Sequence, residues 1–140
     1  MENLIKKPIS YSAIVLDDIS YKTLKSMFEK EMPDGWVWIG HHMTIKLGEL
    51  GKEWKYLVGE KRKIYAYNKG IDDKAFAVKI DVPQQIERMM DGPKFPHITL
   101  AVNRVGGGKP VDSNKIKLWT RDGFENNPLE LTGTIQEIPK

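Results

Sequence analysis

GHHMTIKLG (residues 40–48) and FPHITLAVN (residues 95–103) repeat one pattern, His-apolar-Thr, inside apolar runs. In a strand, residues i and i+2 share a face. His42 and Thr44 then lie together, with His41, Met43, Ile45 and Leu47 behind them. In the second stretch His97 and Thr99 share one face, and Ile98, Leu100 and Val102 share the other. Both strands are expected to present an apolar underside to a core and a His/Thr upper side to something polar. His42 is the stronger functional candidate of the adjacent pair, because Thr44 shares its face and the couple matches His97/Thr99. His41 is expected at the strand's start on the core side, as a structural histidine or a rim contact. A single His-x-Thr means little, since threonine is common in strands. Two of them, each with an apolar reverse face, make coincidence the weaker explanation.

Around these stretches the pattern alternates between strand and helix. Tyr11 to Leu16 is β-rich and reads as a first strand. Ile19, Leu24, Met27, Phe28 and Met32 then recur at helical spacing, with Asp18 or Ser20 as the expected cap and Pro33-Asp34-Gly35 as the closing turn. Residues 36–48 read as one or two strands bent at Gly40. Ile64 to Tyr67, Ala75 to Pro83 and residues 95–103 read as further strands. Residues 83–93 form a short helix or turn stopped by Gly92-Pro93, and residues 104–114 a glycine-rich loop. KIKLWT (residues 115–120) reads as a short helix capped by Asp112 or Ser113, and residues 127–140 as a closing strand. Strands outnumber helices and hairpins abound, which predicts an α+β fold with a largely antiparallel sheet. Each half places a His-x-Thr strand after a helical segment. The two motif histidines lie 55 residues apart (97 minus 42), a spacing consistent with a half-domain repeat.

The 140 residues match one compact domain, expected over 1–140. A composition of 40% hydrophobic and 29% charged residues is that of a globular chain and excludes a disordered one. The absence of cysteine excludes disulfides, thiolate zinc sites and cysteine nucleophiles, and suits a reducing cytosol. MENLIKKPISYSAIVLDD (residues 1–18) reads as neither signal peptide nor membrane span, so a cytoplasmic location is expected. A net charge of +3 is a mild bias towards anionic partners. Its lysines and arginines gather at residues 52–63 and 109–121, where solvated faces are the plain expectation.

HHMTIKLG and PHITLAVN resemble the signature of the 2H phosphoesterase superfamily, which carries two His-h-Thr/Ser motifs, h being hydrophobic. The resemblance implies two β/α halves packed about a pseudo-twofold axis, with the motifs meeting across a central cleft. It implies His42 and His97 as the catalytic pair and Thr44 and Thr99 as phosphate-binding residues. The 55-residue spacing is short for that family and implies trimmed loops and a more open cleft.

Those residue types suit phosphodiester cleavage. One imidazole takes a proton from the attacking oxygen and another gives one to the leaving oxygen, because an ordinary histidine titrates near neutral pH. Hydroxyls donate to the non-bridging oxygens, where charge builds. Lys46 shares the face of His42 and Thr44 and is the first candidate for a phosphate cation. Lys109, in the glycine-rich loop, is a second. That loop lacks P-loop spacing and reads as a lid or turn beside the cleft. Tyr11 and Trp38 are candidate base-stacking residues, Tyr11 the better one, although such aromatics serve cores more often. No cofactor is expected. Neither motif carries Asp or Glu at i±2, so a metal hydrolase is the lesser chemical alternative.

Two substrate classes follow from the resemblance. One is the cyclic oligonucleotide messengers of bacterial CBASS immunity, destroyed by short stand-alone phage proteins. The other is RNA ending in a 2′,3′-cyclic phosphate. The chain's brevity and its run from PHITLAVN through a glycine loop into KPVDSN favour the first, with the host cytoplasm as location if phage-encoded. A non-catalytic nucleotide-binding module remains the alternative outside enzymology. A cyclic nucleotide or oligonucleotide is the one partner expected, with no membrane or protein partner, for a monomer or weak oligomer.

Overall fold

The computed structural model describes residues 8–90 and 95–140. These form an α+β fold whose strand pairings are antiparallel throughout. The strands are β1 (Ile9–Leu16), β2 (Val37–Trp38), β3 (His42–Leu47), β4 (Lys61–Ile71), β5 (Ala75–Asp81), β6 (His97–Val102), β7 (Trp119–Thr120) and β8 (Leu129–Pro139); the helices are α1 (Asp18–Phe28) and α2 (Gln84–Met89). Short 3₁₀ segments occupy Glu29–Glu31, Lys52–Leu57 and Pro110–Lys115. β3, β1, β8, β4, β5 and β6 pair in that order, and β6 returns to β3, closing a six-stranded barrel. β2 adds to β6 and β7 to β4. Closure leaves the six barrel strands no free edge to template aggregation.

The motif strands are neighbours in this barrel, with Met43 of β3 paired to Ile98 of β6. Both of those side chains are fully buried in the main core with Ile14, Ile64 and Val78. Leu24 and Phe28 of α1, one turn apart, and Ile86 and Met89 of α2 join the same core. Burying each such side chain contributes about 1.5–3 kcal/mol. Ile19 and Met27, counted in the helical pattern, lie outside that core, 78% and 38% exposed. The cap of α1 is Asp17 rather than Asp18 or Ser20: its carboxylate accepts from the Ser20 amide at 2.8 Å. The Ser20 hydroxyl instead accepts from the Thr132 amide at 2.8 Å, tying α1 to β8.

Between β2 and β3 the chain takes a detour. Trp38 pairs with Ala101 and Met43 with Ile98, so five steps on one side answer three on the other. The surplus is absorbed at Gly40 and His41. Gly40 has φ +53°, and a Cβ there would meet the Trp38 ring at 2.7 Å, so glycine is required twice over. The His41 carbonyl still accepts from the Leu16 amide of β1 at 2.9 Å, but the residue is exposed, not on the core side. Leu47 also departs from the expected apolar face. A bulge in the β1–β3 register shifts the alternation, and Leu47 emerges 73% exposed.

KIKLWT is not helical. The 3₁₀ turn lies earlier, at Pro110–Lys115, and Trp119–Thr120 instead pairs with β4. Pro110 starts that turn, and Asp112 caps it by accepting from the Lys109 amide at 2.9 Å. The glycine-rich segment is a pinned turn: Gly108 donates to the Asn103 carbonyl at 2.7 Å, and the Lys74 ammonium donates to the Gly106 carbonyl. The Gly92-Pro93 stop lies outside the described residues. Among the described residues no helix is long and apolar enough to cross a membrane.

Candidate active site

Extending the Met43–Ile98 pair by one residue each way sets His42 opposite Thr99 and Thr44 opposite His97. Period-two alternation turns all four to the face away from the core. They line a single cavity of about 240 Å³, with Lys46 beside them. Ile39, Ile45, Leu47, Met90, Phe95, Pro110, Val111 and Asn114 complete its walls. Tyr11 lies just behind, its ring centroid 5.1 Å from that of His42 at 32°. Five of the sequence candidates are thus brought together, with Tyr11 in contact.

Trp38 and Lys109 are not among the cavity's lining residues. The Trp38 indole covers Gly40 and packs against the core, its N–H buried without a partner. Lys109 is exposed at the start of the 3₁₀ turn, while the next two residues reach the wall. Some of the basic residues are paired at the surface: Lys55 with Glu137 at 2.8 Å, Arg62 with Glu60 at 3.0 Å, Lys115 with Asp112 at 3.6 Å. Such exposed pairs contribute little stability.

The two histidines have different neighbours. The Nδ1–H of His97 donates to the Phe95 carbonyl at 3.0 Å. A carbonyl only accepts, so this bond fixes a proton on Nδ1 of His97, whose ring lines the cavity. The Phe95 ring lies 5.2 Å from the His97 ring and edge-on to Trp119 at 5.4 Å. Lys79 braces both aromatics, its ammonium 5.1 Å and 4.8 Å from their centres. His42 instead bonds to a side chain, Nδ1 to Nδ1 of His41 at 2.6 Å, and their rings stack at 4.5 Å. Burial first, then the charges of His41 and His97, push the His42 imidazole down to about 4. Burial also lowers His41. His42 and His97 line the same cavity.

The threonines differ as well. Thr44 is exposed on the cavity wall. Thr99 is 8% exposed, and its hydroxyl donates to the Pro110 carbonyl at 3.1 Å. With its one proton so used, it accepts from the buried Ser113 hydroxyl at 2.8 Å. This pair of bonds clamps the Pro110–Lys115 turn onto β6 and makes it a wall.

Phe95 had a sequence signal: it stands two residues before His97 and extends the His97/Thr99 face. Ser113 and Asn114 figured in the sequence only as a possible cap and as part of KPVDSN; the place of Ser113 at the site depends on a contact 14 residues distant. Among the described residues no three His, Asp or Glu side chains gather in a way that could hold a metal ion. No protein-family profile matches the chain, and no curated protein matches it.

Proposed function

We propose that this chain is a metal-independent phosphodiesterase of the 2H type, cleaving 3′–5′ linkages of cyclic oligonucleotide messengers, as the phage proteins that counter CBASS do. The observation that carries the reading is one cavity lined by His42, His97, Thr44 and Thr99 from two adjacent strands. The helix-then-motif order of each half, with β3 and β6 as neighbours, supports a pseudo-twofold repeat. A ribose 2′-hydroxyl attacks the adjoining 3′–5′ phosphorus while one imidazole removes its proton. The other imidazole protonates the departing 5′ oxygen, leaving a 2′,3′-cyclic phosphate. Thr44 donates to a non-bridging oxygen, and Lys46 supplies positive charge nearby. Thr99 joins in only by turning its proton away from Pro110 while Ser113 continues to donate to it.

The cavity, about 240 Å³, is smaller than the roughly 300–1,000 Å³ that engulfs a drug-sized ligand. It suits one phosphate and its sugar, with the rest of a larger ring lying over the rim. Leu47 and Val111, 73% and 56% exposed, form an apolar part of that rim.

The test is incubation with cyclic di- and trinucleotides, and separately with RNA ending in a 2′,3′-cyclic phosphate, in excess EDTA. The expected result is linearised cyclic nucleotide at a rate EDTA does not change. Turnover of the RNA end alone points to the RNA-processing class. Loss of activity in EDTA points to a metal hydrolase, and binding without turnover to a non-catalytic module.

A further inference from the structure

The Nδ1-to-Nδ1 contact of His41 and His42, at 2.6 Å, holds one proton, so in the neutral pair one ring donates and the other accepts. His41 is exposed, and a neutral imidazole in water favours the tautomer with its proton on Nε2. Its Nδ1 is then the acceptor. His42 therefore carries its proton on Nδ1 and turns a bare Nε2 to the cavity it lines.

We infer that His41 is the proton-accepting partner of His42: as His42 Nε2 takes a proton, the Nδ1 proton of His42 crosses to His41 Nδ1, and the positive charge comes to rest on the exposed ring. The catalytic use of this relay rests on the phosphodiesterase reading; the tautomer and the shared proton do not. The balance is simple. The O–H bond of the attacking hydroxyl breaks and an N–H forms at His42 Nε2. The N–H at His42 Nδ1 breaks and one forms at His41 Nδ1. One proton enters the pair, one positive charge results, and no electrons are transferred.

The relay answers a difficulty in the site. Alone, His42 is a weak base at about 4, held there by burial and by the charges of His41 and His97. Moving the charge to His41 removes it from the buried position and from the side facing His97. The protonation step then belongs to the pair rather than to either ring. At His97 the Nδ1 partner is the Phe95 carbonyl, which accepts the Nδ1–H but cannot take the proton. A charged His97 keeps its second proton on Nε2, facing the cavity, which assigns His42 as base and His97 as acid. Among the described residues, the titratable and charged groups around the pair include Tyr11 from β1, Lys46 from β3 and His97 from β6. Asp17, next to the Leu16 amide that bonds the His41 carbonyl, has its carboxylate turned to its helix cap.

Ring-¹⁵N NMR of wild type, His41→Ala and His41→Asn tests this without substrate. In neutral wild type His42 should be protonated on Nδ1 and bare on Nε2. Acidification should move both rings in one shared step, with His42 converting to the Nε2–H form. His41→Asn, which accepts a hydrogen bond but not a proton, should keep the His42 tautomer and lose the shared step. His41→Ala should lose both. Finding His42 as the Nε2–H tautomer in neutral wild type, or unmoved by either substitution, overturns the relay. In the EDTA assay both variants should lose about tenfold in kcat/KM, as is usual for an orienting partner, with the acid limb of the pH profile displaced. A wild type inert towards every nucleotide defeats the phosphodiesterase reading but leaves the NMR result standing. An active wild type with the opposite tautomer defeats the relay alone.

Discussion

β3 and β6 carry the same tripeptide pattern on the same face of one sheet, yet their surroundings diverge. On β6 the motif is locked: His97 to a backbone carbonyl, and Thr99 to Pro110 and Ser113. On β3 it is open: His42 bonds a side chain that can itself titrate, and Thr44 faces the cavity. A backbone carbonyl fixes a tautomer permanently, whereas a histidine partner makes it responsive. Two equal motifs thus become unequal chemical devices, one suited to holding a proton and the other to passing one on.

The largest expected effect is common to both strands. His42→Ala and His97→Ala should each lower kcat/KM on a cyclic oligonucleotide by about 10²–10⁴-fold with folding intact by circular dichroism. A loss confined to one of them breaks the pairing. The next test separates the strands through stability. His42 is held at about 4 against an ordinary 6.5, so the native state binds fewer protons than the unfolded chain between those values. Stability contributed by the neutral ring is complete above pH 6.5 and lost as pH falls towards 4. That loss is at most about 3 kcal/mol, reduced by the ring's partial solvation and by passage of the charge to His41. Urea melts across this window should show it in wild type, and His42→Asn should flatten it.

Thr44→Val should lower kcat about a hundredfold with little change in melting temperature, as loss of one donor to developing charge does. Thr99→Val should do the reverse. It strands the buried Ser113 hydroxyl, costing about 1–3 kcal/mol, and releases the 3₁₀ wall. Equal effects of the two on kcat would erase the distinction between the open and the locked motif. Smallest is Gly40→Ala, which puts a Cβ against Trp38 in a left-handed backbone and should cost about 1–2 kcal/mol by thermal melt.

Strand periodicity made much of this legible. Met43, Ile45, Ile98 and Leu100 lie on the buried side, and His42, Thr44, His97 and Thr99 on the cavity side, as alternation predicts. What periodicity missed is non-local. His41 leaves the core face because β6 is two residues shorter than its partner between the paired positions, a fact of registration between strands 55 residues apart. Leu47 leaves it because β1 and β3 are out of step by a bulge. The helix expected over KIKLWT yielded to β-pairing of Trp119 with Gly70. Ser113 entered the site through a hydroxyl contact that no local pattern announces.

The most direct measurement is a crystal structure of the protein with a cyclic dinucleotide whose linkages are phosphorothioates resistant to cleavage. The account predicts one phosphorus between the two rings, with Nε2 of His42 and Nε2 of His97 each within about 3 Å of an oxygen on that phosphorus. A phosphate seated elsewhere, or touching one imidazole with the other turned away, would contradict it.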